Sequence, residues 1–282
     1  AGENGTLDIC DNNLSSTFDL FLSLEGSPES GGSWSPTLNS GTGIFDPNTD
    51  PIGEYTYTVT SNNTCPDASA SVTISIIPAP NAGTSSSIDM CSIDAAINLF
   101  DNLGGNPEVG GIWSPALNSG TGLFDPSIDS DGIYTYTVSG TDPCADATAT
   151  ITVSVTEYKD AGENGSIDIC DNIGIIDLFD SLGGTPDIGG VWSPALNSGT
   201  GVFDPLIDSA GTYTYAFTGN DPCPNESATV SVNVVPLPIA GTDATLTLCS
   251  NDLATVDLFN SLGGTPQSGG SWSPSLTSNT GI

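Results

Sequence analysis

The sequence predicts an all-β protein in which tandem antiparallel β-sandwich repeats of about 80 residues follow one another in a linear rod. Three observations lead to this prediction: a recurring tryptophan segment, a recurring alternation of apolar and polar residues, and a recurring pair of cysteines. The tryptophan segment reads G-G-x-W-S-P, and its tryptophans, Trp34, Trp113, Trp192 and Trp272, lie 79, 79 and 80 residues apart. Because a period of this length fits a small domain, we expect each repeat to bury a core of its own.

The boundaries of the repeats follow from an Ala-Gly pair that opens each of them. We expect complete repeats at residues 1–81, 82–160 and 161–239, and the first half of a fourth at 240–282. Half a sandwich would expose its core and its edge strands. We therefore expect either that the native chain continues through further repeats or that another chain completes the last one.

Within a repeat, the strands can be predicted in order. A short apolar strand ends in the first cysteine, a D/N-L-F segment is read as a strand and a turn, and the tryptophan segment forms another short strand. The clearest signal is a hairpin, at residues 134–138 and 149–155 in the second repeat, in which aromatic or aliphatic residues alternate with threonine or serine. Strict alternation rich in β-branched residues is typical of half-buried antiparallel strands.

The order cysteine, tryptophan, cysteine within each repeat is similar to that of immunoglobulin domains, so we predict Ig-like sandwiches. The second cysteine follows the tyrosine strand instead of lying within it, which predicts a bridge from the first strand to the last hairpin. One tryptophan per repeat indicates a residue of the core, at Trp34, Trp113, Trp192 and Trp272, and the alternative is an exposed platform for sugars.

The seven cysteines predict one disulfide in each complete repeat, because their separations of 55, 53 and 53 residues are nearly constant. The expected pairs are Cys10–Cys65, Cys91–Cys144 and Cys170–Cys223, with the partner of Cys249 beyond the chain end. Zinc is a poor alternative because the sequence has no histidine. Disulfides at a repeated spacing predict an oxidising, extracellular location.

The charge of the chain excludes several classes of function. One basic residue, Lys159, faces 34 acidic residues, and the formal net charge is −33. Nucleic acid and anionic membranes attract basic surfaces, so neither is an expected partner. The lack of histidine and arginine removes the usual bases and cations of catalysis, so we do not expect an enzyme. No apolar run of about 18 residues is present, so membrane insertion is not expected.

Calcium is the one ligand for which the sequence offers candidate residues. Acidic and amide side chains gather after the Phe of the F-D-P segment in each complete repeat, at Asp46, Asn48, Asp50, Asp125, Asp129, Asp131, Asp204 and Asp208. Clustered oxygens suit Ca²⁺ at extracellular concentrations. The alternative is a set of solvated turn residues, since no complete calcium-loop motif is present. No other cofactor is expected.

The second repeat contains L-G-G-x-P, G-G-x-W-S-P-A-L-x-S-G-T-G-x-F-D-P, G-x-Y-T-Y-T-V and P-C-x-D-A-T-A-T-x-T-V. This pattern resembles the repeat regions of very large cell-surface adhesins of Bacteroidota, the SprB-type gliding-motility proteins and their relatives. The resemblance implies type IX secretion, attachment at the bacterial outer surface, and a filamentous stalk. It also implies O-glycosylation at Asp-Ser-apolar segments, which Ser181 and Ser209 match.

We therefore expect the shaft of a cell-surface adhesin. Its expected partners are neighbouring repeats of the same or identical chains and a surface or glycan receptor. The alternatives are a self-assembling filament or surface-layer subunit, and a carbohydrate-binding array with exposed tryptophans.

Overall fold

A computed structural model describes residues 1–61, 64–120, 122–251 and 254–277. Within these ranges, the regular structure consists of β-strands and short 3-10 turns, and the strands belong to three repeats of one topology.

The first repeat has two sheets. Its strands are β1 (Gly5–Cys10), β2 (Phe18–Asp19), β3 (Ser33–Ser35), β4 (Ile44–Phe45), β5 (Glu54–Val59) and β6 (Ala68–Ile77). The larger sheet has the order β1-β6-β5-β3, and β2 pairs with β4 in the smaller one. The β5–β6 hairpin is antiparallel, whereas β1 runs parallel to β6. The D/N-L-F segment forms both β2 and a 3-10 turn over Leu20–Ser23.

The second and third repeats have the same sheet order. The second has β7 (Ser86–Cys91), β8 (Ile97–Asn98), β9 (Ile112–Ser114), β10 (Leu123–Phe124), β11 (Gly132–Val138) and β12 (Ala147–Thr156). The third has β13 (Gly165–Cys170), β14 (Ile176–Asp177), β15 (Val191–Ser193), β16 (Val202–Phe203), β17 (Gly211–Phe217) and β18 (Glu226–Val235). In each, the first strand again runs parallel to the last.

The core of each repeat lies between its two sheets, because alternate residues of the hairpin face inward. In the first repeat Tyr55 and Val72 are buried, as the alternation predicts, and Leu20 is buried beside the smaller sheet. The ring of Phe45, on β4, meets the ring of Tyr55, on β5, at 5.8 Å between centroids. The contact between aromatic side chains therefore joins the two sheets.

The tyrosine at the start of the hairpin also fixes the preceding turn. The hydroxyl of Tyr134 donates to the carbonyl oxygen of Ser130 at 2.7 Å, and the third repeat has the same bond from Tyr213 to Ser209. A tyrosine that bonds to the backbone a few residues upstream is characteristic of immunoglobulin domains. The three repeats are Ig-like β-sandwich domains in tandem, which confirms the predicted fold class.

The fourth repeat differs from the others in the part that the structure describes. Residues 240–251 and 254–277 contain the isolated bridge between Thr242 and Gly263 and a 3-10 turn over Phe259–Ser261, but no strand.

The chain divides into two compact units. The first consists of Ala1–Tyr158 together with Asp221–Cys223, and the second of Lys159–Asn220 and Pro224–Ile282. The first unit thus contains all the strands of the first two repeats.

Candidate functional site

The first cysteine of each repeat lies at the end of the parallel edge strand. In the first repeat Cys10 ends β1 and lies beside Ile77, the last residue of β6. In the second repeat Cys91 lies beside Thr156, the last residue of β12. We call this position the strand-end cysteine.

The other cysteine of each repeat lies in the loop that precedes the last strand, and we call it the loop cysteine. A polar side chain spans this loop. In the second repeat Asp146 Oδ1 accepts a hydrogen bond from the backbone N–H of Gly140 at 2.9 Å, and Cys144 lies between these two residues. In the third, Asn225 accepts one from Gly219 at 2.8 Å.

A disulfide joins the strand-end cysteine of the first repeat to the loop cysteine of the second. The Cα atoms of Cys10 and Cys144 are 5.1 Å apart, which is within the usual range for a disulfide, and both residues are buried. The sulfur of Cys144 lies 3.5 Å from the carbonyl oxygen of Ile77. The loop of one repeat therefore contacts the end of the last strand of the repeat before it.

The second disulfide repeats this arrangement one repeat further along the chain. Cys91 bonds to Cys223 with Cα atoms 4.9 Å apart, and the sulfur of Cys223 lies 3.3 Å from the carbonyl oxygen of Thr156. The sequence separations of the two bonds, 134 and 132 residues, are nearly equal. Each bond thus links one repeat to the next.

The predicted disulfides within repeats are wrong. The predicted pairs were Cys10–Cys65, Cys91–Cys144 and Cys170–Cys223, and the structure forms none of them. The reason is the parallel pairing of the first strand, which places Cys10 at the far end of β6, whereas Cys65 precedes the start of β6. A strand of ten residues is roughly 30 Å long, far beyond the reach of a disulfide.

Three cysteines carry free, exposed thiols: Cys65, Cys170 and Cys249. Cys65 is a loop cysteine and Cys170 a strand-end cysteine. Cys249 also occupies a strand-end position in the sequence, but it lies in the part of the fourth repeat that forms no strand.

The acidic residues proposed for calcium surround the turn after the fourth strand of each repeat. Asp50, Asp129 and Asp208 are buried, whereas Asp46, Asp125 and Asp204 are half-buried and Asn48 and Asp131 are exposed. The half-buried aspartates accept hydrogen bonds from backbone N–H groups two residues ahead, at Asn48, Ser127 and Leu206. These three carboxylates stabilise their own turns.

The buried aspartate joins this turn to the loop after the tryptophan segment. Asp129 accepts hydrogen bonds from the backbone N–H groups of Asn118, at 2.6 Å, and Asp125, at 3.0 Å, and from the hydroxyl of Ser119. Burial raises the pKa of Asp129, but the hydrogen bonds outweigh burial and hold the pKa below its ordinary value of 3.8. The same balance lowers the pKa of Asp50 and Asp208.

Among the described residues, no group of three or more acidic or cysteine side chains is arranged to hold a metal ion. Calcium binding stays a prediction from the sequence.

The tryptophans of the three complete repeats lie at the margin of the cores. Trp34, Trp113, Trp192 and Trp272 are all half-buried. The ring of Trp34 packs on Tyr57 with centroids 5.0 Å apart, and Trp113 and Trp192 make the same contact with Tyr136 and Tyr215.

A cleft of about 480 Å³ lies over the exposed part of Trp34, between Asp19, Phe21 and Thr37. Gly43 forms part of the wall, where a Cβ atom would lie 2.8 Å from the indole nitrogen. In the fourth repeat, Trp272 lines a cleft of about 740 Å³. A small ligand in either cleft would contact a tryptophan ring, Trp34 in the first cleft and Trp272 in the second.

The two serines predicted as glycosylation sites differ in exposure. Ser209 is exposed directly after the buried Asp208, whereas Ser181 is half-buried at the end of a 3-10 turn. Their glycosylation stays a prediction.

No protein-family model matches the chain, and no curated protein matches it significantly. Solved structures of tandem immunoglobulin domains are similar to it. A three-domain I-band fragment of titin has 15% sequence identity, with 83% of this chain and 97% of the fragment covered and a TM-score of 0.43. Immunoglobulin domains 1–5 of Sidekick-1 have 16% sequence identity, with 73% of this chain and 52% of the Sidekick-1 chain covered and a TM-score of 0.28.

The structure also bears on location. In the described part of the chain, no helix has both the length and the apolar character needed to span a bilayer. Structural disulfides form and persist mainly in oxidising compartments, so the two bonds are consistent with an extracytoplasmic location. The chain is a tandem array of Ig-like repeats in which disulfides link successive repeats.

Proposed function

We propose that this chain is a load-bearing segment of the shaft of a secreted cell-surface adhesin, with no enzymatic activity. The observation that supports this function is the pair of disulfides that link successive repeats. The resemblance of the repeat pattern to SprB-type proteins supports a bacterial outer-surface location and type IX secretion. The adhesive contact with a surface or glycan receptor belongs to another part of such a protein.

The disulfides change the covalent path along which a pulling force travels. Without them, the path from Cys10 to Cys223 is the whole intervening chain of 213 residues. With them, the shortest path crosses to Cys144, returns along 53 residues to Cys91, and crosses to Cys223. A load therefore bypasses most of the backbone of the first and third repeats and passes through the second repeat between Cys91 and Cys144.

Force spectroscopy on single molecules of the full chain tests this function. At about 3.3–3.6 Å per extended residue, the bypass of 160 residues shortens the fully unfolded length by about 550 Å in oxidised chains relative to reduced chains. The variant Cys10→Ser/Cys144→Ser is expected to restore part of that length, while Cys249→Ser leaves it unchanged. Equal lengths with and without reductant would contradict a load-bearing role.

A carbohydrate-binding array is the second candidate, favoured by the half-buried tryptophans over their clefts. It predicts that the chain binds immobilised glycans and that Trp34→Ala weakens this binding. Ile128→Ala, at an exposed apolar residue outside these clefts, is the matched control. A glycan array on which the chain binds nothing would remove this candidate and leave the shaft function untouched.

A further inference from the structure

The cleft over Trp34 combines aromatic rings with a carboxylate. The rings of Phe21 and Trp34 both pack on the ring of Tyr57, with centroids 5.5 and 5.0 Å away, and all three residues line the cleft. Asp19 lines the cleft as well, and its Oδ1 accepts a hydrogen bond from the backbone N–H of Phe21 at 3.0 Å. This bond holds the carboxylate beside the rings.

The third repeat shows how near this carboxylate lies to the indole. A Cβ atom added to Gly201 would lie 2.8 Å from Trp192 Nε1 and 3.6 Å from Asp177 Oδ1. Asp177 is the counterpart of Asp19 in the D/N-L-F segment. A carboxylate beside an aromatic ring suits a cationic group, because both the ring face and the carboxylate attract positive charge.

Hydroxyl groups complete the lining of the cleft over Trp34. They belong to Ser30, Ser33, Thr37 and Thr42, which are all exposed. A quaternary ammonium group has no N–H or O–H with which to use these hydroxyls, whereas a sugar has several. The lining therefore fits a sugar that carries an ammonium group, with the C–H face of the sugar ring on the indole.

The same combination recurs in one other repeat. The cleft over Trp272 is lined by an aspartate and two serines at the positions of Asp19, Ser30 and Ser33, namely Asp257, Ser268 and Ser271. In the second repeat the same three positions hold Asn98, Val109 and Ile112, and the last two are 83% and 72% exposed. The second repeat thus has the tryptophan with an amide and apolar side chains around it, and it serves as a natural comparison.

We propose that the cleft over Trp34 binds an amino sugar. The ammonium group of the sugar contacts Asp19, the C–H face of its ring packs on Trp34, and its hydroxyls bond to Ser30 and Ser33. The formal net charge of −33 attracts a cationic sugar and repels anionic ones. The inference rests on the carbohydrate-binding candidate and names its ligand class, and it does not depend on the shaft function.

The test is a titration of the full chain, isotopically labelled at the indole nitrogen of tryptophan, followed by NMR. The four indole N–H signals report on the four repeats separately, and the Trp34 signal is assigned by its loss in Trp34→Phe. The probes are the β-linked disaccharide of glucosamine and its N-acetylated form, which has the same ring skeleton without the charges. Physiological ionic strength, at about pH 6, keeps the amines protonated and screens general attraction to the acidic surface.

We expect the Trp34 signal to shift on addition of the glucosamine disaccharide. The affinity should be about tenfold higher than for the acetylated form, which is the difference expected for one hydrogen bond between charged groups. The Trp113 signal is the internal control and should stay in place, because Asn98 replaces the aspartate in that repeat.

Asp19→Asn should lower the affinity for the glucosamine disaccharide about tenfold. The fold should tolerate this change, since Asn98 accepts the equivalent hydrogen bond from the backbone N–H of Phe100 at 3.1 Å. Asp8→Asn is the matched control, because it removes the same charge from an exposed aspartate of the same repeat outside the cleft. It should change the affinity less than about twofold.

Three results would overturn the inference. They are equal affinities for the two disaccharides, an equal loss of affinity in Asp19→Asn and Asp8→Asn, and a Trp113 signal that shifts as far as that of Trp34. Absence of any shift with the glucosamine disaccharide would overturn it too. The glycan array then decides separately whether the carbohydrate-binding candidate stands, because binding of uncharged glycans that Trp34→Ala weakens would leave that candidate in place.

Discussion

At the scale of single residues, the buried aspartates hold two loops of each repeat together. Asp129 receives hydrogen bonds from a loop about ten residues earlier in the chain and from the turn that it belongs to. The clustering of acids in the sequence located these turns. The clustering could not indicate that backbone N–H groups donate hydrogen bonds to these carboxylates, because Asn118 approaches Asp129 only when the sandwich folds.

The substitution Asp129→Asn tests this role. We expect it to lower the free energy of unfolding by about 1–3 kcal/mol, because an uncharged amide cannot accept all three hydrogen bonds and brings an N–H₂ group against their donors. Urea denaturation at pH 7 measures the change. Asp131→Asn changes an exposed neighbour and is the control. It should change the free energy of unfolding by less than about 0.5 kcal/mol. Equal effects of the two substitutions would contradict the role.

The same aspartate predicts a pH dependence. Since the folded-state pKa of Asp129 lies below 3.8, its contribution to stability is fully present above that value and is lost as the pH falls through the folded-state pKa. The difference in unfolding free energy between the native chain and Asp129→Asn should therefore narrow when urea denaturation is repeated below pH 3.8. A difference that stays constant down to pH 2 would show that the charge of Asp129 is not involved.

At the scale of elements, the alternation of apolar residues predicted the long hairpins, and each is present. The parallel pairing of the first strand was not predicted. The short segment that ends in Cys10 can lie against β6 in either direction with the same apolar residues facing inward, so its pattern holds no information on direction. The disulfide pairs were predicted wrongly because the direction of the first strand relative to the last strand was not determined.

A close approach between two strands gives a prediction at this scale. A Cβ atom added to Gly190 would lie 2.6 Å from the ring of Tyr215, whose hydroxyl accepts a hydrogen bond from the Gly190 N–H. We expect Gly190→Ala to lower the free energy of unfolding by about 1–3 kcal/mol through overpacking.

Gly174 is the matched control for this substitution. It belongs to the same repeat, and an added Cβ atom there would meet open space. Thermal unfolding should show a lowered midpoint for Gly190→Ala and almost no change for Gly174→Ala. A similar midpoint for both would mean that the contact with Tyr215 does not restrict this position.

At the scale of the whole molecule, the disulfides make the stability of one repeat depend on its neighbour. Cys10→Ser/Cys144→Ser removes a bond that closes a loop of 134 residues, and we expect it to lower the free energy of unfolding by about 2–4 kcal/mol. Denaturation without reductant measures the loss, with Cys249→Ser as the control. No loss in the double variant would mean that the bond does not stabilise the fold.

The tandem architecture could be predicted because the repeated segments, and the period between them, are visible in the sequence. The choice between bonds within a repeat and bonds between repeats could not be predicted, since a constant period makes both sets of separations equally regular. Only the direction of the edge strand distinguishes them.

Mapping the disulfides of the purified, unreduced chain tests this arrangement most directly. Proteolysis without reductant followed by mass spectrometry is expected to yield Cys10 linked to Cys144 and Cys91 linked to Cys223. Peptides that link Cys10 to Cys65, or Cys91 to Cys144, would contradict it.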